Sequence, residues 1–307
     1  MKPNRTRRDL SGLSAKLPQS EVLNENSADF SFCAPAKMFD KMQRENLNAV
    51  KAVAKAKKAI VAAAKLTSET YLNGNKIIFA GAGTSGRLGV LEAAECPPTF
   101  SVGYDVFDTV MAGGKGAVFK AVEGAEDDFN LGARDFKKKA KKGDILIAIA
   151  ASGRTPYALG ALRAARERGN GTVFVSCSDT ADTSDADIFV YLPTGAEVVS
   201  GSTRLKAATA TKCALNMITT MAMALSGKVY KNLMVDVKAS NVKHKDRAAR
   251  LIAKAAGIEK EEAVALAKKT RYNVRAAIVM AKLKVGFGKA QALLKESGGF
   301  LDKIINE

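Results

Sequence analysis

The sequence predicts an α/β fold, a three-layer αβα arrangement around a parallel central sheet, with a small helical module at its C-terminal end. Three observations carry this reading. Short apolar runs bounded by Gly, Asp or Pro read as strands: "KIIFA" from Lys76, "DILIAIA" from Asp144, "GTVFVS" from Gly171 and "IFVYLP" from Ile188. A helical stretch, "TPYALGALRAARERG", separates the second run from the third, and strands alternating with helices imply a parallel sheet covered on both faces. From about Asp246 onward the chain is Ala- and Lys-rich and helical.

Taken in order, residues 1 to 40 are polar and irregular, with Lys2, Arg5, Arg7 and Arg8 at the front, and read as an arm. From Ala36 to Leu66 apolar residues recur at helical spacing, which fits one or two helices. The strand runs follow. After Tyr191, "TGAEVVSGSTRLKAATATKCALNMITTMAMALSGK" holds a long apolar helix that starts near Ser202 and stops at Gly227. Its Met217, Met221 and Met223 read as core filling. In the last segment Gly257, Gly286, Gly288 and the Gly298-Gly299 pair read as breaks between helices. The division is an arm and helix over 1–60, the main α/β domain over 61–232 and the helical module over 233–307.

Composition excludes several function classes. At 307 residues and 47% hydrophobic the chain can bury one large core with a small appendage. No window reaches the ~18 uninterrupted apolar residues of a membrane span, and the N-terminus lacks the apolar centre of a secretory signal, so a cytoplasmic protein with no membrane partner is expected. Cys33, Cys96, Cys177 and Cys213 form no C-x-x-C pair, and His244 is the only histidine, which argues for reduced thiols and against a zinc site. The net charge of +17 raises a nucleic-acid partner. The lysines are spread along helices, however, and aromatics make up only 6% with no tryptophan to stack on bases. Nucleic-acid binding is therefore expected to be non-specific at most.

Two loops carry the chemistry. "AGAGTSGR" follows the first strand run and "AASGRTPY" the second, so Ser85-Gly86-Arg87 and Ser152-Gly153-Arg154 both stand just past a strand. Ligands of open parallel sheets bind there. Glycines let a backbone approach a ligand, free N–H groups at a helix start favour negative charge, and hydroxyls add short hydrogen bonds. Gly83, Thr84, Ser85 and Gly86 in the first loop, with Ser152, Gly153, Arg154 and Thr155 in the second, are the candidate binding residues. "GAGTSG" matches G-x-G-x-x-G, but no strand-end acid follows about twenty residues on, and no Lys-Ser or Lys-Thr stands in the P-loop position. A monophosphate suits the pair of loops better than a dinucleotide. Arg87 and Arg154 fit either an anionic ligand or carboxylates that shape the loops.

"GAGTSGRLGVLEAAECPPTF", "AVEGAEDD", "AASGRTPY", "GAEVVSGSTRLKAATATK" and "GKVYKNLMVDVKASN" resemble, in order and spacing, the signature blocks of the N-acetylmuramic acid 6-phosphate etherase family. This family belongs to the sugar isomerase (SIS) superfamily; the glucokinase regulatory protein shares the first block but carries two such domains. The resemblance implies the SIS fold, a phosphosugar with a lactyl ether as substrate, and N-acetylglucosamine 6-phosphate and D-lactate as products. It also implies a role in amino sugar catabolism and cell-wall recycling, no redox cofactor or metal, and a homodimer. An SIS aldose–ketose isomerase or a non-catalytic phosphosugar sensor is the alternative. Departures from the family pattern include Ala34-Pro35-Ala36-Lys37 near the N-terminus, Glu92 where aspartate is common, Ala208 where glycine is common and His244 where leucine is common.

The resemblance also implies that Glu95 and Glu126 are catalytic. In the sequence, Glu95 ends the helical stretch "RLGVLEAAE" before Pro97-Pro98, which are expected to stop the helix. A carboxylate at a helix C-terminus is disfavoured by the helix dipole, which suits an acid whose pKa must be raised. Glu126 stands among Glu123, Asp127 and Asp128, whose repulsion acts the same way. Glu95 is expected to be the principal acid–base group, with Glu126 assisting ether departure or hydration. Lys206 is a weaker candidate for balancing anionic charge, and His244 is expected to be packed or exposed without a role.

Overall fold

The computed structural model describes residues 19–236 and 242–305. The basic cluster Lys2, Arg5, Arg7 and Arg8 lies outside the described residues, as do 237–241 at the end of the last signature block. After short 3-10 turns between Gln19 and Phe32, helices α1 (Pro35–Lys55) and α2 (Lys57–Leu72) lead into strand β1 (Ile77–Gly81). Proline at the first turn of α1 suits a helix start, because its missing N–H would have had no partner there. Next come α3 (Gly83–Phe100), β2 (Phe107–Met111), α4 (Phe129–Lys139), β3 (Ile145–Ile149), α5 (Pro156–Glu167), β4 (Gly171–Ser176), β5 (Ile188–Tyr191) and α6 (Lys206–Leu225). A two-stranded ribbon of β6 (Val229–Tyr230) and β7 (Leu233–Met234) precedes α7 (Val242–Ala256), α8 (Lys260–Lys269), α9 (Val274–Leu283) and α10 (Phe287–Glu296).

The five-stranded parallel sheet has the order β2-β1-β3-β4-β5. Pleating sends alternate residues to opposite faces. Ile78, Ala80, Val110, Leu146, Ala148 and Phe174 form one buried face, packed with residues of α4 and α5. Phe79 and Ile149 belong to the other face, where Gly89 of α3 stands so close that a Cβ would lie 2.8 Å from the Cβ of Phe79. Helices on both faces make the three layers that the sequence predicts.

Two compact units share the chain. The first comprises residues up to 60 with 78–90 and 109–215, and the second comprises 61–77, 91–108 and 216–307. Within the second, Ala248, Ile252, Ala263, Ala267, Ile278 and Ala290 bring α7 to α10 around one core. These helices form the C-terminal module. Gly257, Gly298 and Gly299 take the left-handed conformation at helix ends, whereas Gly288 lies inside α10 rather than breaking it.

The sequence reading omits one strand, and two other expectations fail, each for an identifiable reason. Strand β2 reads "FDTVM", with Asp108 and Thr109 interrupting the apolar run, because an edge strand is only partly covered. Met217 is 48% exposed and fills no core, since the buried stripe of α6 runs through Ala210, Ala214, Ile218 and Ala222. Helix α3 does not stop at Glu95 but continues through Pro97 and Pro98 to Phe100. The lost backbone hydrogen bonds are outweighed by packing, since Cys96 and Phe100 on this last stretch are 2% and 5% exposed. His244 stands half-buried on α7.

Helices α4 and α5 cross at two glycines. A Cβ on Gly132 would collide with the Tyr157 carbonyl oxygen, and one on Gly160 with that of Phe129. The buried Tyr157 hydroxyl donates to Asp135 at 2.8 Å across the same pair of helices. Gly160→Ala is therefore expected to destabilise the fold by about 1–3 kcal/mol through overpacking against backbone. Denaturant unfolding reads this directly, and wild-type stability in the variant would refute the close crossing.

Candidate active site

The sheet order reverses between β1 and β3, because the chain proceeds from β1 outward to β2 and then returns to build β3, β4 and β5 on the other side. Loops beyond the carboxyl ends of β1 and β3 flank that switch point, the usual place for a ligand on an open α/β sheet. These are the two Ser-Gly-Arg loops.

A single residue, Ala82, separates β1 from α3. Glycine makes so short a turn possible. A Cβ on Gly81 would lie 2.9 Å from both the Gly86 nitrogen and the Ile149 carbonyl oxygen, and one on Gly86 would lie 2.7 Å from the Gly81 oxygen. The Gly86 amide closes the first helical turn on the Ala82 carbonyl at 3.0 Å. The amides of Gly83, Thr84 and Ser85 precede that bond and stand outside the helical ladder, at the positive end of the α3 dipole. Thr84 and Ser85 are half-buried beside them. An anion is the ligand such a turn accepts.

The second loop is shaped by Gly153, whose φ is +71° and whose Cβ would lie 2.6 Å from the Ala181 Cα. Ser152 Oγ accepts the Arg154 amide at 3.3 Å, and the Arg154 guanidinium donates to Thr180 Oγ1 at 3.0 Å. Thr155 precedes α5, but its side chain does not cap the helix, whose first residue is Pro156. Thr155 itself is half-buried.

A cleft of about 130 Å³ lies against the first loop, lined by Gly83, Arg87, Ala112, Val122, Glu123 and Glu126 among others. The fold thus brings Glu126 into one cleft with the turn that begins α3, although the two are about forty residues apart in sequence. Arg87 meets no carboxylate in its described bonds. Its Nε and Nη2 donate to the carbonyls of Val118 and Ala117 at 2.9 and 2.8 Å. Glu95 is exposed on the stretch of α3 that belongs to the second unit, and it does not line this cleft. It stands inside the helix, five residues before Phe100, so the dipole of the C-terminal turn does not act on it as the sequence suggested. Among the described residues no cluster of His, Cys, Asp and Glu is placed to hold a metal ion.

Sequence reasoning missed a buried charge cluster that joins α1 to the start of α6. Lys206, considered as a partner for an anionic ligand, instead gives its ammonium to Glu45 of α1 in a buried ion pair. Glu197 accepts the amides of Lys206 and Ala207 at 3.0 Å each and so caps α6. Burial pushes the Glu197 carboxyl above its ordinary pKa, against the pull of those two amides. Burial acts the same way on Glu45, but the Lys206 ammonium outweighs it and holds the carboxyl below the ordinary value. The signal was present in α1, where Glu45 falls on the buried stripe with Ala49, Ala52 and Val53. A second missed acid, Glu92, is 2% exposed on α3 and accepts Thr219 Oγ1 at 2.6 Å and the Asn216 amide at 3.2 Å.

Residues 54–166 match the family model described as the glucokinase regulatory protein N-terminal SIS domain. Over 290 residues the chain is 42% identical to an N-acetylmuramic acid 6-phosphate etherase of Clostridium botulinum (strain Langeland), covering 94% of this chain and 96% of that one. It is 43% identical over 284 residues to the protein of the same name in Cronobacter sakazakii, covering 92% and 96%. Among solved structures, a putative phosphosugar isomerase involved in capsule formation from Bacteroides fragilis is similar with a TM-score of 0.48 and 16% identity, over 64% of this chain and 94% of that one.

The buried cluster makes a test of its own. Lys206→Met leaves two buried glutamates without a cation and is expected to cost about 3–5 kcal/mol of stability. Adding Glu45→Gln should recover part of that loss in denaturant unfolding, because the uncompensated charge is then removed. Wild-type stability in the single variant would show that the pair does not carry the load described.

Proposed function

Because the chain belongs to the N-acetylmuramic acid 6-phosphate etherase family, we propose that it cleaves the D-lactyl ether of N-acetylmuramic acid 6-phosphate with water to give N-acetylglucosamine 6-phosphate and D-lactate. The observation that carries the reading is the shared cleft, in which a carboxylate, Glu126, lines the wall together with Gly83, the first residue of α3. One part suits a phosphate and the other a proton transfer.

The chemistry needs nothing further. In the open-chain sugar the C2 hydrogen lies next to the aldehyde and can leave as a proton to a carboxylate. The C3–O bond then breaks, and lactate departs with a proton on its oxygen. Water adds across the C2=C3 bond, hydroxyl to C3 and hydrogen to C2. No electrons are gained or lost overall, so a nicotinamide or flavin has no part to play. The amides of Gly83, Thr84 and Ser85 with the Ser85 hydroxyl hold the phosphate, and Ser152, Gly153, Arg154 and Thr155 hold the sugar at the neighbouring strand end. Glu126 is the carboxylate that the cleft offers to the C2 proton. Glu95 then serves the ether oxygen and the incoming water, which reverses the division suggested by the sequence. The reading includes a cytoplasmic homodimer in amino sugar catabolism and cell-wall recycling.

Purified protein is expected to release D-lactate from N-acetylmuramic acid 6-phosphate equally with and without a chelator. No lactate in either case would favour an aldose–ketose isomerase or a sensor. Glu126→Gln and Glu95→Gln should each lower kcat by roughly 10²–10⁴-fold, the range of general acid–base catalysis, with substrate binding retained. In deuterated water, Glu95→Gln should still exchange the C2 hydrogen without releasing lactate, whereas Glu126→Gln should not exchange it. The opposite pattern would restore Glu95 as the principal base, and full activity in both would discard the two-carboxylate mechanism.

A further inference from the structure

The segment that carries Glu126 is held by unusual means. Between β2 and α4, residues 112–128 form a strap made of short-range turns. Gly113 and Gly124 have φ of +80° and +73°, and the backbone bonds Ala117 N to Gly114 O, Lys120 N to Gly116 O and Asp127 N to Gly124 O span three or four residues each. Most side chains from Lys115 to Asp128 are exposed, Phe119 at 93%. Local turns with exposed side chains open at little cost in free energy. A catalytic carboxylate on such a strap needs an anchor.

Arg87 supplies one from α3. It stands two residues beyond Ser85, and its Nε and Nη2 reach across 31 and 30 residues to the carbonyls of Val118 and Ala117. Two parallel N–H donors on one planar group fix both the distance and the orientation of the peptide they grip. Arg87, Ala117 and Glu126 all line the same cleft. We propose that Arg87 is a positioning residue for the reaction. It fixes the strap to the first two turns of α3, so that the Glu126 carboxylate and the anion-binding amides keep one geometry whether or not substrate is bound. The inference rests on the reading of Glu126 as an acid–base group. It assigns Arg87 to the strap rather than to the phosphate, because two of its nitrogens are already committed to carbonyls.

The full-length protein tests this with Arg87→Ala and Arg87→Lys, by steady-state kinetics on N-acetylmuramic acid 6-phosphate and by amide hydrogen exchange. Arg87→Ala is expected to lower kcat by roughly 10²-fold, the effect of a displaced catalytic group, with KM little changed. Amides of residues 112–128 should exchange faster, while those of α9 keep wild-type protection and so show that the fold is intact. Added guanidinium ion should restore part of the Arg87→Ala rate. Arg87→Lys should restore none, because an ammonium cannot span two carbonyls with a planar fork. If Arg87→Ala does not fold, Arg87→Gln is scored by the same exchange measurement. Wild-type protection of the strap in the folded variant would overturn the proposal, as would a rise in KM with kcat intact, which would make Arg87 a phosphate ligand. If the wild-type protein releases no lactate, the reading of Glu126 fails, and exchange at the strap still decides whether Arg87 holds it.

Discussion

At the carboxyl end of β1 the backbone passes its neighbours too closely for a side chain. Gly81 lies against the Gly86 amide and the Ile149 carbonyl, and Gly86 lies in turn against Gly81. This contact lets α3 begin one residue after β1 ends, so the first amides of α3, which precede its helical ladder, open at the switch point of the sheet. With a longer connection the helix start would move away from the crevice, and the Arg87 anchor would move with it. The placement of the cleft and of the strap follows from that one close approach. Gly153 repeats the principle at the neighbouring strand end, where a positive φ and the proximity of Ala181 leave room for nothing larger.

Charge is distributed in keeping with this geometry. The positive end of α3 is left without a capping side chain among its described bonds, whereas α6 has its first two amides taken by Glu197. One helix start is thus available to a ligand and the other is closed. Lys206 would otherwise compete for an anion, but Glu45 neutralises it inside the protein. The excess of +17 is carried by the remaining lysines and arginines, many of them on exposed helix faces. Such a surface draws phosphorylated substrates toward the protein over a Debye length, about 8–10 Å at ordinary salt, without fixing where they bind.

Much of this was legible in the sequence, for physical reasons. Strands β1, β3 and β4 are covered on both faces, so they appear as unbroken apolar runs; β5, a half-buried edge, is apolar as well, and the loops after β1 and β3 carry their glycines and hydroxyls openly. Strand β2 was not legible because an edge position relaxes the demand for apolar residues. The extent of α3 was hidden because Pro97 and Pro98 speak against a helix locally, and only tertiary packing of Cys96 and Phe100 overrules them. Glu45 and Lys206 meet across 161 residues, a separation that no local pattern reports. The same holds for Arg87 and the Ala117–Val118 carbonyls. Within the candidate site, the glycine- and hydroxyl-rich loops could be read from residue type and spacing. The placement of Glu126 in the cleft could not, since it depends on how a strap of exposed turns is tied down.

The marginal position of β2 has a consequence beyond the site. An edge strand offers unpaired backbone groups to any passing strand, and proteins that leave such edges open tend to aggregate. In β2 the ammonium of Lys139 covers the Thr109 carbonyl oxygen at 2.8 Å, and Asp108 beside it would bring a negative charge to any β-strand that tried to dock. The opposite edge, β5, is only four residues long. Both margins of the sheet are thus poor templates for further strand addition, and this protects a chain whose central strands are almost wholly apolar from polymerising through its own sheet.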